Sequence, residues 1–289
     1  MNPTFTVVIP AYNAAETLEE SLESVLKQDF SDYELVVVND GSQDSTASLI
    51  EAIAQRNPQR EIHVLEQENQ GLGAARNAGI AAAEGTYIAL LDADDIWPAA
   101  KLSQCYEALR EMPECDVLYH PVETFGMEEG RKRGVYAPLT LEKLIAEPNP
   151  LVPSATVLRR ELLWEEPFAE EPDFHGAEDL HLWMRLLRKG AVFRAWPDAL
   201  TYYRETGGLS TRLEDHLKRV FAVLDYGYEQ GWYEQTLLEK GRQRKFQEAA
   251  RFYQKRGQRH LAERYYSAAD SKSVKILGLR FLNFLGMHW

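Results

Sequence analysis

Cysteine is scarce in this chain, whose 289 residues include only Cys105 and Cys115. Two thiols cannot build a disulfide framework, and the spacing of this pair matches no common metal-binding motif. A chain of this length buries roughly three quarters of its unfolded surface, so its core needs no covalent cross-links. We therefore expect both cysteines to be reduced residues of the interior.

Long hydrophobic runs are also missing. No stretch of about 18 apolar residues occurs, so no membrane-spanning helix is predicted. Residues 1–5 lead straight into an apolar strand and lack the basic segment and long apolar run of a signal peptide. These observations predict a cytoplasmic protein, and they leave open a peripheral attachment to the inner face of the membrane.

Positive charge is in short supply except at one end of the chain. The net charge is −13, from 32 Lys and Arg against 45 Asp and Glu. Residues 240–289 alone carry +9, which leaves −22 on the rest. An acidic body argues against general nucleic-acid binding, because binding to a phosphate backbone depends on Lys and Arg.

The first hundred residues alternate between strand and helix patterns. Apolar runs predict strands at 6–9, 34–38, 62–65 and 87–91, and helical spacing predicts helices at 14–28, 42–53 and 72–83. Continuous apolar strands separated by helices are typical of a mostly parallel sheet covered on both faces. Ligand sites in such sheets lie beyond the carboxyl ends of the strands.

The rest of the chain is less regular. Residues 123–136 combine three glycines with many charges, which is typical of a hairpin or a mobile loop, and 177–189 predicts a helix. From residue 213 onward the pattern is almost entirely helical. We therefore predict a domain boundary near residue 212.

Three carboxylates follow the fourth predicted strand, within residues 92–95 (Asp-Ala-Asp-Asp). Carboxylates this close together repel one another, and a hard divalent cation with oxygen ligands would compensate them. The alternative is a solvated turn that caps the helix beginning near Pro98. The Asp-x-Asp pattern by itself does not decide between these interpretations.

Four motifs stand in a fixed order in this region: residues 7–13 (VVIPAYN), 36–46 (VVVNDGSQDST), 69–79 (NQGLGAARNAG) and 91–95 (LDADD). The series closely resembles glycosyltransferase family 2, densely over residues 5–110 and more thinly to 212. The resemblance implies an α/β protein of the GT-A fold, Rossmann-like, with a mostly parallel sheet, helices on both faces and a C-terminal helical extension. The implied domains are a catalytic domain (1–212), with nucleotide-sugar-binding (1–110) and acceptor and catalytic (111–212) parts, and a helical region with a basic amphipathic tail (213–289).

The resemblance also implies roles in binding the donor. Tyr12 would stack on the nucleobase, unless it is a packing tyrosine. Asp40 would accept a hydrogen bond from the base, and Arg76 would contact the base or a phosphate, or form a salt bridge to Asp40 or Asp94. Asp92 would contact the ribose or the outer shell of a metal ion. The other implied donor-site residues are Pro10, Ala11, Asn13, Gly71 and Ala93.

Metal and catalytic roles are implied as well. Asp94 would ligate Mn²⁺ or Mg²⁺, and Asp95 would be structural. The segment 176–186 resembles the Glu-Asp motif of the family, in which Asp179 would take the proton from the acceptor hydroxyl and Glu178 would orient it or bind acceptor. The alternative is an acidic pair favoured by the dipole at a helix N-terminus. That dipole opposes a raised pKa for Asp179, and desolvation would have to offset it.

The remaining polar candidates lie in the second half. Arg204 and Arg212 would neutralise the departing diphosphate, or would pair with the acidic body. Their segment, 202–212, lacks the histidine common in the family. Structural or surface roles are predicted for the histidines without metal-ligand spacing, which are His63, His120, His175, His181 and His216.

The tail, residues 272–289, is short, apolar and basic. It is too short to span a bilayer at normal tilt. It could lie on the surface of an anionic membrane, which would suit a lipid-linked acceptor. It could equally pack on the catalytic domain or mediate a homodimer, and the sequence leaves these alternatives open.

Together these features predict a metal-dependent, inverting glycosyltransferase. It would move a sugar from a nucleoside-diphosphate sugar, UDP-linked by family habit, to a hydroxyl of a saccharide or lipid-linked saccharide, in cell-surface polysaccharide assembly. A nucleotidyltransferase of related fold is disfavoured, because residues 10–13 replace its Gly-rich phosphate loop. An inactive nucleotide-sugar-binding module is the other alternative, against which the intact Asp94 and Asp179 argue.

Overall fold

The structure is a computed structural model of the chain. It describes residues 2–126, 130, 132–133, 138–205, 213–269, 276, 279–280 and 283. Two compact units are present: Met1–Leu139 with Pro150–Gly208, and Thr140–Asn149 with Leu209–Trp289. The boundary near residue 212 and the three-part division drawn from the sequence remain predictions.

The described residues of the first unit form ten strands. They are β1 (Phe5–Ala11), β2 (Tyr33–Asp40), β3 (Ile62–Gln67), β4 (Tyr87–Leu90), β5 (Val117–Tyr119), β6 (Val122–Gly126), β7 (Lys132–Arg133), β8 (Thr156–Arg159), β9 (Phe193–Ala195) and β10 (Tyr202–Glu205). Seven of them form a sheet in the order β3-β2-β1-β4-β8-β5-β9. The first four strands along the chain are parallel to one another, and β8 is antiparallel to both β4 and β5. The mostly parallel sheet predicted from the sequence is thereby confirmed.

The centre of this sheet is covered on both faces. Every residue of β1 and β2 is buried, as expected for continuous apolar strands. Helices α1 (Leu18–Leu26) and α2 (Thr46–Arg56) pack on one face, and α3 (Leu72–Ala81) packs on the other. A Cβ added at Gly79 of α3 would lie 2.5 Å from Cγ1 of Val8, so the close approach of α3 to the sheet requires a glycine there.

The second half of the first unit completes the sheet and adds a smaller one. Its helices are α4 (Lys101–Glu111), α6 (Arg160–Glu165) and α7 (Glu178–Arg188), with short 3-10 turns at Pro153–Ala155 and Pro172–Phe174. The smaller sheet has the order β10-β6-β7. Because β6 and β7 are antiparallel, the described part of segment 123–136 forms a hairpin.

The described part of the second unit is helical. It contains α5 (Leu141–Ala146), α8 (Leu213–Glu229), α9 (Gln235–Lys255) and α10 (Arg259–Ala268), which confirms the predicted helical extension. Its core includes Ala250, Ala262 and Tyr266. Across the described residues, no helix is both long and apolar enough to cross a membrane. Most of the tail (272–289) lies outside the described residues, so the predictions made for it stay predictions.

Candidate active site

The strand order makes β1 a switch point in the sheet. Strands β2 and β3 lie on one side of β1 and β4 lies on the other. Open α/β sheets bind ligands beyond the carboxyl ends of the strands at such a point. β1 pairs with β2 as far as Ala11, but with β4 only as far as Val8. Pro10 and Ala11 therefore extend beyond the residues of β1 that pair with β4, toward the carboxyl edge of the sheet.

The loop after β1 is fixed in place and presents Tyr12. Asn13 has a φ of 47°, a left-handed conformation that asparagine adopts more readily than most residues. Its N–H donates to Oγ of Ser42 at 3.0 Å, and its Oδ1 accepts from the N–H of Gln43 at 2.8 Å. These bonds join the loop after β1 to the loop after β2. The Tyr12 side chain nevertheless remains 48% exposed, so its ring is available to stack on a flat ligand.

Asp40, at the end of β2, is bound by the protein itself. Its side chain is buried, and Oδ1 accepts from Nε2 of Gln67 at 2.7 Å and from the N–H of Gln70 at 2.9 Å. Oδ2 accepts from the N–H of Gly71 at 2.9 Å. Gly71 has a φ of 93° and directly precedes α3. Asp40 therefore holds the loop that leads into α3, and its contact with a base stays a prediction.

Arg76 of α3 is buried between two carboxylates. Nη2 donates to Oδ1 of Asp92 at 2.7 Å, and Nη1 donates to Oε1 of Glu178 at 2.8 Å. Its guanidinium lies 5.1 Å from the centre of the Phe168 ring. Burial opposes the charge, but the two carboxylates outweigh it and raise the pKa of Arg76. The salt-bridge partners are thus Asp92 and Glu178, not the Asp40 or Asp94 considered from the sequence.

Two carboxyl groups of the acidic segment after β4 have raised pKa values. Burial and the neighbouring Asp92 raise the pKa of Asp94 to about 6. Burial and both neighbouring carboxylates raise the pKa of Asp95 well above its usual range. Desolvation by burial and neighbouring negative charge both favour the protonated form of a carboxyl group. The oxygen donors of this segment fit a hard divalent cation, which would favour their ionised forms.

Arg204 of β10 lies beside this acidic segment. Its N–H donates to Oδ1 of Asp95 at 2.9 Å, and its Nε donates to the carbonyl oxygen of Asp94 at 2.7 Å. Nη2 donates to Glu20, and the guanidinium lies 4.4 Å from the centre of the Phe125 ring. Arg204 therefore brings positive charge to the end of β4. Arg212 lies outside the described residues.

The predicted acid pair opens α7. Glu178 is buried, and its Oε2 accepts from the N–H of Gly176 at 2.5 Å while Oε1 binds Arg76. Oδ1 of Asp179 accepts from the N–H of Leu180 at 2.7 Å. Burial and the charge of Glu178 raise the pKa of Asp179 to about 7, although Arg76 acts in the opposite direction. Desolvation therefore outweighs the effect of the helix N-terminus.

Some residues that support the site have no signal in the sequence. Oγ of Ser154 accepts from the N–H of Asp92 at 3.0 Å. Oγ1 of Thr17 donates to the carbonyl oxygen of Ala93 at 2.8 Å. Both contacts fix the acidic segment from distant parts of the chain. A local motif cannot reveal them, because each contact joins residues that are far apart in the sequence.

The fold and these side chains define an α/β protein with an acidic segment and an acid pair at the carboxyl end of a parallel sheet. The model of glycosyl transferase family 2 matches residues 6–166, more than half of the chain. The chain belongs to glycosyl transferase family 2.

Individual relatives agree with this assignment. The uncharacterized glycosyltransferase EpsJ of Bacillus subtilis (strain 168) is 28% identical over 242 residues, which cover 76% of this chain and 68% of EpsJ. The crystal structure of S. aureus TarS 1-349 in complex with UDP-GlcNAc is 21% identical, with a TM-score of 0.67 over 99% of this chain and 87% of that chain. The mannosyltransferase PcManGT from Pyrobaculum calidifontis, in complex with GDP-Man and Mn²⁺, is 19% identical, with a TM-score of 0.63 over 99% of this chain and 80% of that chain. These neighbours confirm the GT-A fold.

Proposed function

We propose that this chain moves a sugar from a nucleoside-diphosphate sugar, UDP-linked, to a hydroxyl of a saccharide or lipid-linked saccharide, with inversion at the anomeric carbon. The observation that carries the proposal is the buried bridge from Asp92 through Arg76 to Glu178. It ties the acidic segment after β4 to the acid pair of α7. A buried salt bridge between these two groups suits a reaction in which two substrates must be held in one fixed geometry. The TarS complex with UDP-GlcNAc supports a UDP-linked donor.

On the donor side, Tyr12 stacks on the base and Asp92 contacts the ribose. The exposed ring of Tyr12 and the partial exposure of the Asp92 side chain, 26%, support these roles. Asp40 and Arg76 are bound by protein groups, which supports positioning roles for both. The donor site is completed by Pro10, Ala11, Asn13, Gly71 and Ala93.

Asp94 is the proposed metal ligand, with Mn²⁺ or Mg²⁺ as the cofactor. The raised pKa of Asp94 supports a cation at this position. When bound, such a cation neutralises the charge that develops on the leaving diphosphate. Arg204 and Arg212 add positive charge for the same diphosphate. The Mn²⁺ in the PcManGT complex supports a metal-dependent reaction.

Asp179 is the proposed general base. A base works best when its pKa lies near the operating pH, and that of Asp179 is raised to about 7. Asp179 takes the proton from the acceptor hydroxyl, whose oxygen attacks the anomeric carbon from the face opposite the diphosphate. Glu178 orients this base, because Arg76 and the N–H of Gly176 fix its side chain at the start of α7.

The proposed cellular role is the assembly of a cell-surface polysaccharide on the inner face of the membrane. In this proposal the tail (272–289) contacts anionic lipid, and the alternatives are docking on the catalytic domain and homodimer formation. Sedimentation with anionic vesicles compares the full chain with a chain lacking the tail. Equal partitioning of the two would contradict membrane binding through this segment.

Two variants test the proposed reaction. Asp179→Asn should abolish sugar transfer and leave metal-dependent nucleotide binding nearly unchanged, whereas Asp94→Ala should weaken that binding. Transfer is measured as release of the nucleoside diphosphate from a panel of nucleotide sugars, and binding by titration calorimetry. The control Asp173→Asn, an exposed acid near α7, should retain both properties.

Two results would contradict the proposal. Near-normal turnover by Asp179→Asn would show that another group is the base. Nucleotide binding by the wild-type chain without turnover of any donor in the panel would favour an inactive binding module.

A further inference from the structure

A second group of metal-ligand side chains lies at the opposite end of the sheet. Glu34 is at the start of β2, and Glu61 and His63 flank the start of β3. One ligand atom from each of the three lies within 4.8 Å of the others. The parallel register, in which Leu35 pairs with Ile62, brings these side chains together. The end of β2 lies six residues beyond Glu34, so about 20 Å separates this group from the candidate active site.

Glu34 is a buried carboxylate with one oxygen satisfied and the other not. Its side chain is only 1% exposed. Oε1 accepts from the hydroxyl of Thr6 and from the N–H groups of Glu84 at 2.6 Å and Gly85 at 3.1 Å. Within the described part of the chain, Oε2 is buried and accepts no hydrogen bond. A buried polar atom without a hydrogen-bond partner is rare, and a cation bound beside Oε2 would compensate this oxygen.

The distances around His63 fit an ion at the centre of the group. Nε2 of His63 lies 3.4 Å from Oε2 of Glu34 and 3.4 Å from Oε1 of Glu61. A direct charge-assisted hydrogen bond would be about 2.7–2.9 Å long. Tetrahedral ligands about 2.0–2.1 Å from Zn²⁺ are roughly 3.3–3.4 Å apart, which matches both observed distances.

We propose that Glu34, Glu61 and His63 bind a divalent transition-metal ion of the Zn²⁺ type, with water completing the coordination. One imidazole and two carboxylates suit Zn²⁺, and the imidazole nitrogen disfavours Mg²⁺, which prefers oxygen ligands. The side chains of His63 and Glu61 are 45% and 62% exposed, so the ion can enter from solvent. The backbone N–H groups that bind Oε1 of Glu34 orient its free oxygen toward the ion. The ion links the edge strand β3 to β2 and, through Glu34, to the turn between α3 and β4.

The test is Zn²⁺ binding by the full chain, stripped of metal and titrated in excess Mg²⁺ so that the acidic segment after β4 is occupied. We expect one Zn²⁺ per chain, bound at least about tenfold more weakly by His63→Ala and by Glu34→Gln. Glu34→Gln keeps an oxygen for the backbone donors, and His63→Ala changes an exposed ring, so both variants should fold. Co²⁺ gives a second readout, because four-coordinate Co²⁺ absorbs visible light much more strongly than six-coordinate Co²⁺.

Two controls locate the ion. His260→Ala, a variant of an exposed histidine on α10, and Asp94→Ala should both retain the bound Zn²⁺. The proposal is overturned if the wild-type chain binds no Zn²⁺, since the three side chains are then neighbours without a metal ion. It is also overturned if either His63→Ala or Glu34→Gln binds Zn²⁺ as the wild type does. None of these outcomes depends on sugar transfer.

Discussion

Nη1 of Arg76 donates a 2.8 Å hydrogen bond to Oε1 of Glu178, and both side chains are almost fully buried. The bond joins α3, which follows the donor-side loops, to the first turn of α7. Because Arg76 also binds Asp92, a single cation connects the two halves of the candidate site. Burying such a group costs desolvation that hydrophobic packing would avoid. Its presence is therefore best explained by the fixed geometry that it imposes.

Arg76→Met tests this connection. The substitution leaves the buried Glu178 without its cation, and removal of one partner from a buried ion pair costs about 3–5 kcal/mol. We expect a loss of this size in the free energy of unfolding, measured with urea, and a loss of sugar transfer in the variant that remains folded.

The matched control is Arg56→Met. Arg56 pairs with Glu19 at 3.1 Å, but their side chains are 59% and 50% exposed. A pair so exposed contributes about 0–1 kcal/mol, because water screens it. Equal losses for the two variants would mean that the Arg76 bridge is no stronger than a surface contact.

The raised pKa of Asp179 predicts the pH dependence of transfer. The base must be ionised to accept a proton, and its pKa is raised to about 7. The rate at saturating donor should therefore rise about tenfold per pH unit below pH 7 and level off above it. Single-turnover measurements at constant metal concentration check this, and a rate independent of pH between 5 and 8 would contradict the assignment of Asp179.

Glu178→Gln should shift the pH dependence of the transfer rate to lower pH. After burial, the charge of Glu178 is the largest influence that raises the pKa of Asp179, whereas Arg76 lowers it. Removal of the Glu178 charge leaves the lowering influence in place, so the rising limb should shift to lower pH. If Glu178 had only a structural role, the variant would transfer sugar more slowly, but the pH at which the rate rises would be unchanged.

The central sheet could be predicted from the sequence for a simple physical reason. β1, β2 and β4 are buried apolar runs, and such runs need helices on both sides. The insertion of β8 between β4 and β5 could not be predicted. β8 has only four residues, and its antiparallel pairing depends on packing between distant segments.

The partner of Arg76 could not be predicted from the sequence either. Glu178 lies 102 positions away, and local spacing offers no reason to choose it over Asp40 or Asp94. The pairing of Arg76 with Glu178 depends on the close approach of α3 to the second half of the first unit. A Cβ added at Gly73 would lie only 2.2 Å from the carbonyl oxygen of Ala169, so this approach needs a glycine. A motif can suggest a charged residue, but tertiary packing decides what it binds.

Tyr12→Ala tests the proposed stacking on the base. Loss of an aromatic platform for one base costs about 1–3 kcal/mol of binding, so the Kd for UDP should rise roughly 5-fold to 150-fold. Because the ring is 48% exposed, the free energy of unfolding should hardly change. Tyr228→Ala is the control, since Tyr228 of α8 is 39% exposed. If titration calorimetry gives the same Kd for both variants, Tyr12 does not stack on the base.

Asn77→Ala tests whether the segment after α6 supports the bridge. Nδ2 of Asn77 donates to the carbonyl oxygen of Phe168 at 2.9 Å and to Oε1 of Glu170 at 2.7 Å. Oδ1 accepts from the N–H of Phe168 at 2.9 Å. Removal of the amide leaves both backbone groups of Phe168 without this partner, at a cost of about 1–3 kcal/mol. The Phe168 ring, which packs against Arg76, would then be less well placed.

The control for this prediction is Asn57→Ala. Nδ2 of Asn57 makes a hydrogen bond of 2.9 Å to the carbonyl oxygen of Ile53 in the preceding turn of α2, and this bond is remote from α3 and α7. A single neutral hydrogen bond contributes about 0.5–1.5 kcal/mol, so Asn57→Ala should cost less stability and leave transfer unchanged. Asn77→Ala should lower both the free energy of unfolding and the rate of transfer. A loss of stability with a normal rate of transfer would contradict this prediction. It would mean that the bridge from Arg76 to Glu178 keeps its geometry without Asn77, so that the segment after α6 supports the fold but not the site.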